Sequence, residues 1–139
     1  MPENRAKVAI VDDDPSVRRA LCRLFGQLNM DAKSFSSGDD FIESFKRSAP
    51  DYLVLDIRMP RVNGWAVLSE LRKMRAQIKT IVMSADDELA VDIPDAARAV
   101  VFLKKPVDEK TLLAAIAQMS ELKNTALRQY ARAVRPRSN

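Results

Sequence analysis

Four short apolar runs limit what this chain can fold into: Val8–Val11 (VAIV), Tyr52–Leu55 (YLVL), Thr80–Met83 (TIVM) and Val100–Leu103 (VVFL). A strand with one face in water alternates apolar and polar residues, and these runs do not, so each reads as a strand covered on both faces. A fainter run, Ala32–Phe35, reads as an edge strand. Between the runs the apolar spacing becomes helical. Asp14-Pro15 supplies an N-cap and a first-position proline, and Val17, Leu21, Leu24, Phe25 and Leu28 follow as one stripe. Ser37 can cap a second helix with Phe41, Ile42 and Phe45 inward; Trp65–Met74 turns Val67, Leu68 and Leu71 inward. A last helix starts near Asp108 and carries Leu112, Leu113, Ile116, Met119 and Leu122. Strands alternating with helices in this way predict an α/β fold, a doubly wound five-stranded parallel sheet with helices on both faces. Asp86–Arg98 interrupts the regularity, because Pro94 cannot lie inside a continuous helix; a short or broken helix is expected there.

Composition narrows the chemistry. With 139 residues, 47% hydrophobic and 30% charged, the chain has material for one packed domain. It contains no histidine and one cysteine, Cys22, which excludes imidazole acid–base chemistry, an internal disulfide and a cysteine zinc cluster. No apolar run approaches the ~20 residues of a membrane span, and the start shows no signal-peptide pattern. A soluble cytoplasmic protein is expected. Acidic and basic residues balance over residues 1–120, and the net charge of +4 comes from Lys123, Arg128, Arg132, Arg135 and Arg137 set against Glu121. The division predicted is therefore a domain over 1–120 and a basic helical extension or tail over 121–139. Direct nucleic-acid binding by the domain is not expected.

In a doubly wound sheet, ligands gather where strands end at their carboxyl edges. The apolar runs end in Asp12-Asp13-Asp14, Asp56, Ser84 and Lys104-Lys105. Each alone would be an ordinary turn, cap or surface residue; together at matching strand ends they put carboxylates, a hydroxyl and an ammonium around one pocket. Clustered carboxylates resist ionisation, and a hard divalent cation such as Mg²⁺, which takes oxygen ligands, relieves that. A cation, a lysine and a hydroxyl around a carboxylate make a receptor for a phosphoryl group.

The segments VAIVDDDPSVRRAL, LVLDIRMPRVNGWAVL, TIVMSA and VFLKKPV resemble, in order and spacing, the four signatures of the response-regulator receiver domain of two-component signalling. The resemblance covers roughly residues 5–120. It implies a flavodoxin-like (βα)5 three-layer sandwich with strand order 2-1-3-4-5. By position it makes Asp56 the phosphoacceptor, Lys105 the lysine preceding a cis proline, Pro106, and Ser84 and Phe102 the switch pair. Mg²⁺ is implied on Asp13, Asp56 and the backbone carbonyl of Arg58, with Asp12 acting mainly through water. Pro60 and Gly64 match the turn after the phosphoacceptor, where glycine can supply a positive φ. The implied function is a switch, not a turnover enzyme. Asp56 takes a phosphoryl group from a phosphohistidine on a histidine kinase or phosphotransfer protein. Ser84 and Phe102 then rearrange the face formed by the fourth helix, the fifth strand and the last helix, which a downstream target or output domain reads. Small Ala85 leaves the pocket mouth open.

Two features depart from the family pattern: Arg98-Ala99 stands where a Gly-Ala pair is usual, and Pro94 lies in the same segment. A second reading from another class is a haloacid-dehalogenase-like phosphohydrolase, with Asp12 as nucleophile and Asp14 as acid–base; it leaves Asp56 and the following turn without a role. A third is a receiver-like module that binds partners without phosphorylation. Leu112, Ile116, Met119, Leu122 and Ala126 keep helical spacing beyond the domain, so the last helix is expected to extend by one to three turns. Its basic residues read first as a solvated helix end that suits the C-terminal dipole, second as a surface for an acidic partner or a homodimer, and third as a linker toward an output domain.

Overall fold

The computed structural model describes residues 5–57, 64–76, 78–84 and 100–119. The elements run β1 (Lys7–Val11), α1 (Pro15–Gln27), β2 (Asp31–Phe35), α2 (Gly38–Arg47), β3 (Tyr52–Asp56), α3 (Gly64–Lys73), β4 (Lys79–Ser84), β5 (Val100–Lys104) and α4 (Glu109–Met119). The five strands are parallel in the order β2-β1-β3-β4-β5, the doubly wound arrangement expected, with the faint Ala32–Phe35 run forming the β2 edge from Asp31. Successive side chains on a strand point to opposite faces, and the core divides accordingly. Val8, Ile10, Tyr52, Val54, Ile81 and Met83 pack with α1 and α4 through Leu24, Phe25, Leu112, Leu113 and Ile116. Ala9, Val11, Leu53, Leu55 and Val82 pack with α2 and α3 through Phe41, Val67, Leu68 and Leu71. Covering both faces is what makes the runs continuously apolar.

The helix starts follow the sequence. Asp14 accepts the Ser16 N–H at 2.8 Å ahead of Pro15, Ser37 accepts the Asp40 N–H at 3.1 Å, and Asp108 accepts the Thr111 N–H at 2.7 Å. Each satisfies a donor that the first helical turn leaves unpaired. The Thr111 bonds hold the Asp108 carboxyl below its ordinary value. Two helix ends were not anticipated. Asn29 (φ 61°) and Arg75 (φ 56°) take left-handed conformations after α1 and α3. In both, the following N–H reaches back to a carbonyl one turn inside, Met30 to Phe25 at 3.0 Å and Ala76 to Leu71 at 2.9 Å, closing the helix.

Gly64 corrects one expectation. Its φ is not positive. Glycine is needed there because a Cβ would lie 2.7 Å from Ile57 Cα and 3.1 Å from the Asp56 carbonyl oxygen, while the Gly64 N–H donates to the Ile57 carbonyl at 2.7 Å. Close approach, not handedness, excludes a side chain. The turn around Pro60, the Asp86–Arg98 segment with Ala85, Pro94 and Arg98-Ala99, and the helical extension and tail from residue 120 onward lie outside the described residues.

Candidate functional site

Parallel pairing fixes which residues meet at the carboxyl edge. Val11 is level with Leu55, Leu55 with Val82 and Asp56 with Met83, so Asp12, Asp56 and Ser84 emerge together as β1, β3 and β4 end. All three are buried, Asp12 and Ser84 to 1% exposure. Ser84 is level with Lys104, and the Lys105 N–H donates to the Ser84 carbonyl at 2.7 Å, tying the end of β5 to the end of β4. The Lys105–Pro106 peptide is cis, as the resemblance implies. Lys104, though adjacent, is exposed.

Lys105 enters the site as an ion pair with two carboxylates. Its Nζ lies 3.2 Å from Asp56 Oδ2 and 3.8 Å from Asp12 Oδ2. The shorter distance is a charge-assisted hydrogen bond; the longer is attraction alone. Asp12 Oδ1 accepts the Asp14 N–H at 2.9 Å, whereas Asp12 Oδ2 is buried and accepts no hydrogen bond. Burial pushes the Asp12 carboxyl above its ordinary value. The charges of Asp56 and Asp13 push the same way, and the Asp14 N–H and the Lys105 ammonium pull against them.

Asp13 completes the group from the exposed side, and carboxylate oxygens of Asp12, Asp13 and Asp56 lie within 4.8 Å of one another. Among the described residues, three carboxylates against one lysine leave negative charge in excess, and a buried Asp12 oxygen lacks a donor. Both features fit a hard cation taking oxygen ligands. The carbonyl of Arg58 lies outside the described residues, as does the side chain of Phe102, whose backbone in β5 is level with Val82. Asp14 is exposed and engaged as the α1 cap, so the pair Asp12–Asp14 does not present the nucleophile and acid–base that a phosphohydrolase of the other class requires.

The sequence reading missed one participant. Arg18 Nη1 donates to the Asp12 carbonyl oxygen at 2.7 Å, bracing the loop that carries the acidic residues. Its position four residues after the Asp14 cap is a signal only once the loop's direction is known.

Residues 8–117 match the family described as response regulator receiver domain. The response regulator protein TodT of Pseudomonas putida is 34% identical over 117 residues, an alignment covering 84% of this chain and 52% of TodT, so the chain spans about half the length of such curated relatives. Among solved structures, the response regulator StyR superposes with a TM-score of 0.76 at 29% identity, covering 93% of this chain and 65% of StyR. The BeF3-activated DrrB receiver domain superposes with a TM-score of 0.72 at 26% identity, covering 84% of this chain and 98% of its own. A doubly wound sheet, an aspartate–lysine pair at its carboxyl edge and matches of this extent have one conclusion: the chain belongs to the response regulator receiver domain family.

Proposed function

We propose that this chain is a phosphorylation-dependent switch acting in the cytoplasm, in which Asp56 accepts a phosphoryl group from the phosphohistidine of a histidine kinase or phosphotransfer protein. The observation that carries this is the Lys105 ammonium, 3.2 Å from Asp56 Oδ2 and 3.8 Å from the buried Asp12 Oδ2. An Asp56 oxygen attacks phosphorus, the P–N bond breaks with its electron pair passing to the imidazole nitrogen, and an acyl phosphate forms. Lys105 holds Asp56 in place before the reaction and faces the phosphoryl oxygens afterwards. Asp12, Asp13 and Asp56, together with the Arg58 carbonyl in the family's pattern, would hold Mg²⁺. Bound there, the cation would neutralise carboxylate and phosphoryl charge.

The product adds about −1.5 to −2 of charge with strong acceptors to a buried edge. Ser84, at the end of β4, would donate its hydroxyl to one of them, and Phe102 in β5 is the residue through which the change would reach the outer face. The activation of DrrB by BeF3, a compact phosphoryl mimic, supports a site that responds to occupancy. The switch is stoichiometric, not a turnover enzyme. Its reader is a downstream protein or an output domain, with a second copy of the chain as an alternative reader, and neither membrane nor nucleic acid is a direct partner. The receiver unit would comprise residues 1–120 and the basic extension 121–139.

The test is intact-protein mass spectrometry after acetyl phosphate or phosphoramidate treatment, with Mg²⁺ and with chelator. Wild type should gain one phosphoryl group only with Mg²⁺, and Asp56→Asn none. Full labelling of Asp56→Asn would remove the phosphoacceptor assignment. Labelling lost in Asp12→Asn but retained in Asp56→Asn would favour the phosphohydrolase chemistry, and no labelling of wild type would favour a module that binds without phosphorylation.

A further inference from the structure

Asp13 is the exposed member of the acidic trio, and the bonds that locate it belong to its neighbours. The two peptide groups flanking it are both held. The carbonyl of the Asp12–Asp13 peptide accepts Arg18 Nη1 at 2.7 Å, and the N–H of the Asp13–Asp14 peptide donates to Asp12 Oδ1 at 2.9 Å. One residue upstream, the Asp12 N–H donates to the Phe35 carbonyl at 3.2 Å, the last rung between β1 and β2. Beyond that rung the Asp12 carbonyl has left the sheet, and the guanidinium reaching back from α1 takes the place of a strand partner. Arg18 is partly buried, so this is a charge-assisted bond shielded from competing water. Arg19, the next residue, is exposed and donates to Ser16 Oγ at 3.5 Å.

We infer that Arg18 is a positioning residue for the cation site: by fixing the Asp12–Asp13 peptide plane, it sets where the Asp13 carboxylate stands relative to Asp12 and Asp56. This rests on reading the trio as a Mg²⁺ site serving Asp56. Without the Arg18 bond the peptide can rotate, Asp13 is carried with it, and the oxygens that lie within 4.8 Å of one another spread apart. Arg18 touches neither the phosphoryl group nor the attacking oxygen, so its loss should weaken cation binding and leave the chemical step at saturating cation intact.

Arg18→Ala and Arg19→Ala each remove one positive charge from α1, and only the first removes the brace. Calorimetric titration of each full-length variant with MgCl₂ alone, and the rate of Asp56 labelling by acetyl phosphate across a range of Mg²⁺, provide two readouts. Arg18→Ala should raise the Mg²⁺ dissociation constant by about tenfold, as supporting partners of metal ligands commonly do. The half-saturating Mg²⁺ concentration for labelling should rise by the same factor, with the plateau rate within twofold of wild type. Arg19→Ala should leave both within twofold. Should Arg18→Ala not fold, Arg18→Gln, which cannot span the same distance, carries the same expectation. Equal effects of the two substitutions, or a reduced plateau at unchanged half-saturation, would overturn the inference. A wild type that binds Mg²⁺ but is not labelled at Asp56 would instead refute the proposed function, and the calorimetric comparison would still decide the role of Arg18. A wild type that binds no Mg²⁺ would overturn the inference outright.

Discussion

The same strands begin and end in charged residues, and the two edges of the sheet treat charge in opposite ways. At the amino edge, in spatial order from β2 to β4, stand Asp31, Lys7, Asp51 and Lys79, alternating in sign from strand to strand. These residues are exposed or half-buried. Lys7 and Asp51 exchange bonds, the Lys7 N–H donating to Asp51 Oδ2 at 2.8 Å and the Asp51 N–H to the Lys7 carbonyl at 2.9 Å. At the carboxyl edge, among the described residues, Asp12, Asp13 and Asp56 face one lysine, and two of the three carboxylates are buried. The amino edge is what stability alone would select: opposite charges alternating on neighbouring strands, in contact with water. The carboxyl edge accepts a buried excess of one sign, a cost that only a ligand can return. An edge that could have been balanced as its opposite end is, and is not, marks the functional end of the fold.

Gly64→Ala should produce the largest effect, because it breaks the carboxyl edge through its backbone. The added methyl would meet Ile57 Cα and Cδ1 at 2.7 Å and the Asp56 carbonyl at 3.1 Å, and backbone cannot step aside as a flexible side chain can. A loss of about 3 kcal/mol in urea denaturation is expected, at the upper end for overpacking. Mg²⁺ affinity should fall with it, because the residue displaced adjoins Asp56.

Asp12→Asn should go the other way. Asparagine keeps the acceptor for the Asp14 N–H and removes a buried charge, so without divalent cation the variant should be about 1–2 kcal/mol more stable than wild type at neutral pH. The sign follows from the raised Asp12 carboxyl: the folded state binds its proton more tightly than the unfolded chain. Its contribution to wild-type stability therefore improves as pH falls through the raised value and levels off below 3.8. Asp108 acts in the opposite sense, its contribution being lost only as pH falls through a value below 3.8. Saturating Mg²⁺ should reverse the ranking, since a cation at one hundred times its dissociation constant adds about 2.7 kcal/mol to the protein that binds it. Thermal denaturation with chelator and with Mg²⁺, at pH 5 and 7, checks both signs. A variant less stable than wild type in chelator would remove the claim that Asp12 is held at a cost.

Much of this contrast is written in local pattern. Runs such as VAIV and YLVL encode strands buried on both faces, and the polar residue ending each run marks the carboxyl edge, so Asp12, Asp56, Ser84 and Lys105 could be gathered from the sequence. Caps at Asp14 and Ser37, and the start of the last helix near Asp108, were legible for the same reason, each set by residues close along the chain. What escaped was set by distance in space. The bond from Arg18 to the Asp12 carbonyl depends on the path of a loop, and Gly64 is required by the approach of Ile57. Asn29 and Arg75 lie in left-handed conformations where no glycine announces them. The amino-edge alternation was equally hidden, because Asp31, Lys7, Asp51 and Lys79 become neighbours only in the order β2-β1-β3-β4.

Arg75→Gly offers a smaller adjustment, on the connection that leads from α3 to the amino edge. The left-handed conformation costs a residue with a Cβ roughly 1–2 kcal/mol, which glycine avoids. Glycine also loses more freedom on folding, about 0.4–1 kcal/mol, which offsets part of the gain. A net stabilisation of about 0.5 kcal/mol is expected, with Mg²⁺ affinity unchanged because the substitution lies far from the carboxylates along the chain of β4. Destabilisation would mean that the Arg75 side chain makes contacts worth more than the strain.

The smallest effect should come from the substitution that mirrors Asp12→Asn at the other end of the sheet. Asp51→Asn keeps an oxygen for the Lys7 N–H and removes a charge that is exposed and flanked by Lys7 and Lys79 on the neighbouring strands. Here the charge is favourable but screened by solvent, so a destabilisation of a few tenths of a kcal/mol is expected, shrinking further in 1 M salt. It should be the same in chelator and in Mg²⁺, whereas the effect of Asp12→Asn changes sign between them. Denaturation of both variants in the four conditions, low and high salt, chelator and Mg²⁺, makes the comparison direct. Two identical chemical changes at opposite ends of one sheet should differ in sign without cation because one carboxylate stands in water between strands that begin in lysine and the other is buried beside further carboxylates. If Asp51→Asn proved as stabilising as Asp12→Asn, charge excess would be a property of the whole sheet, and the carboxyl edge would lose its distinction.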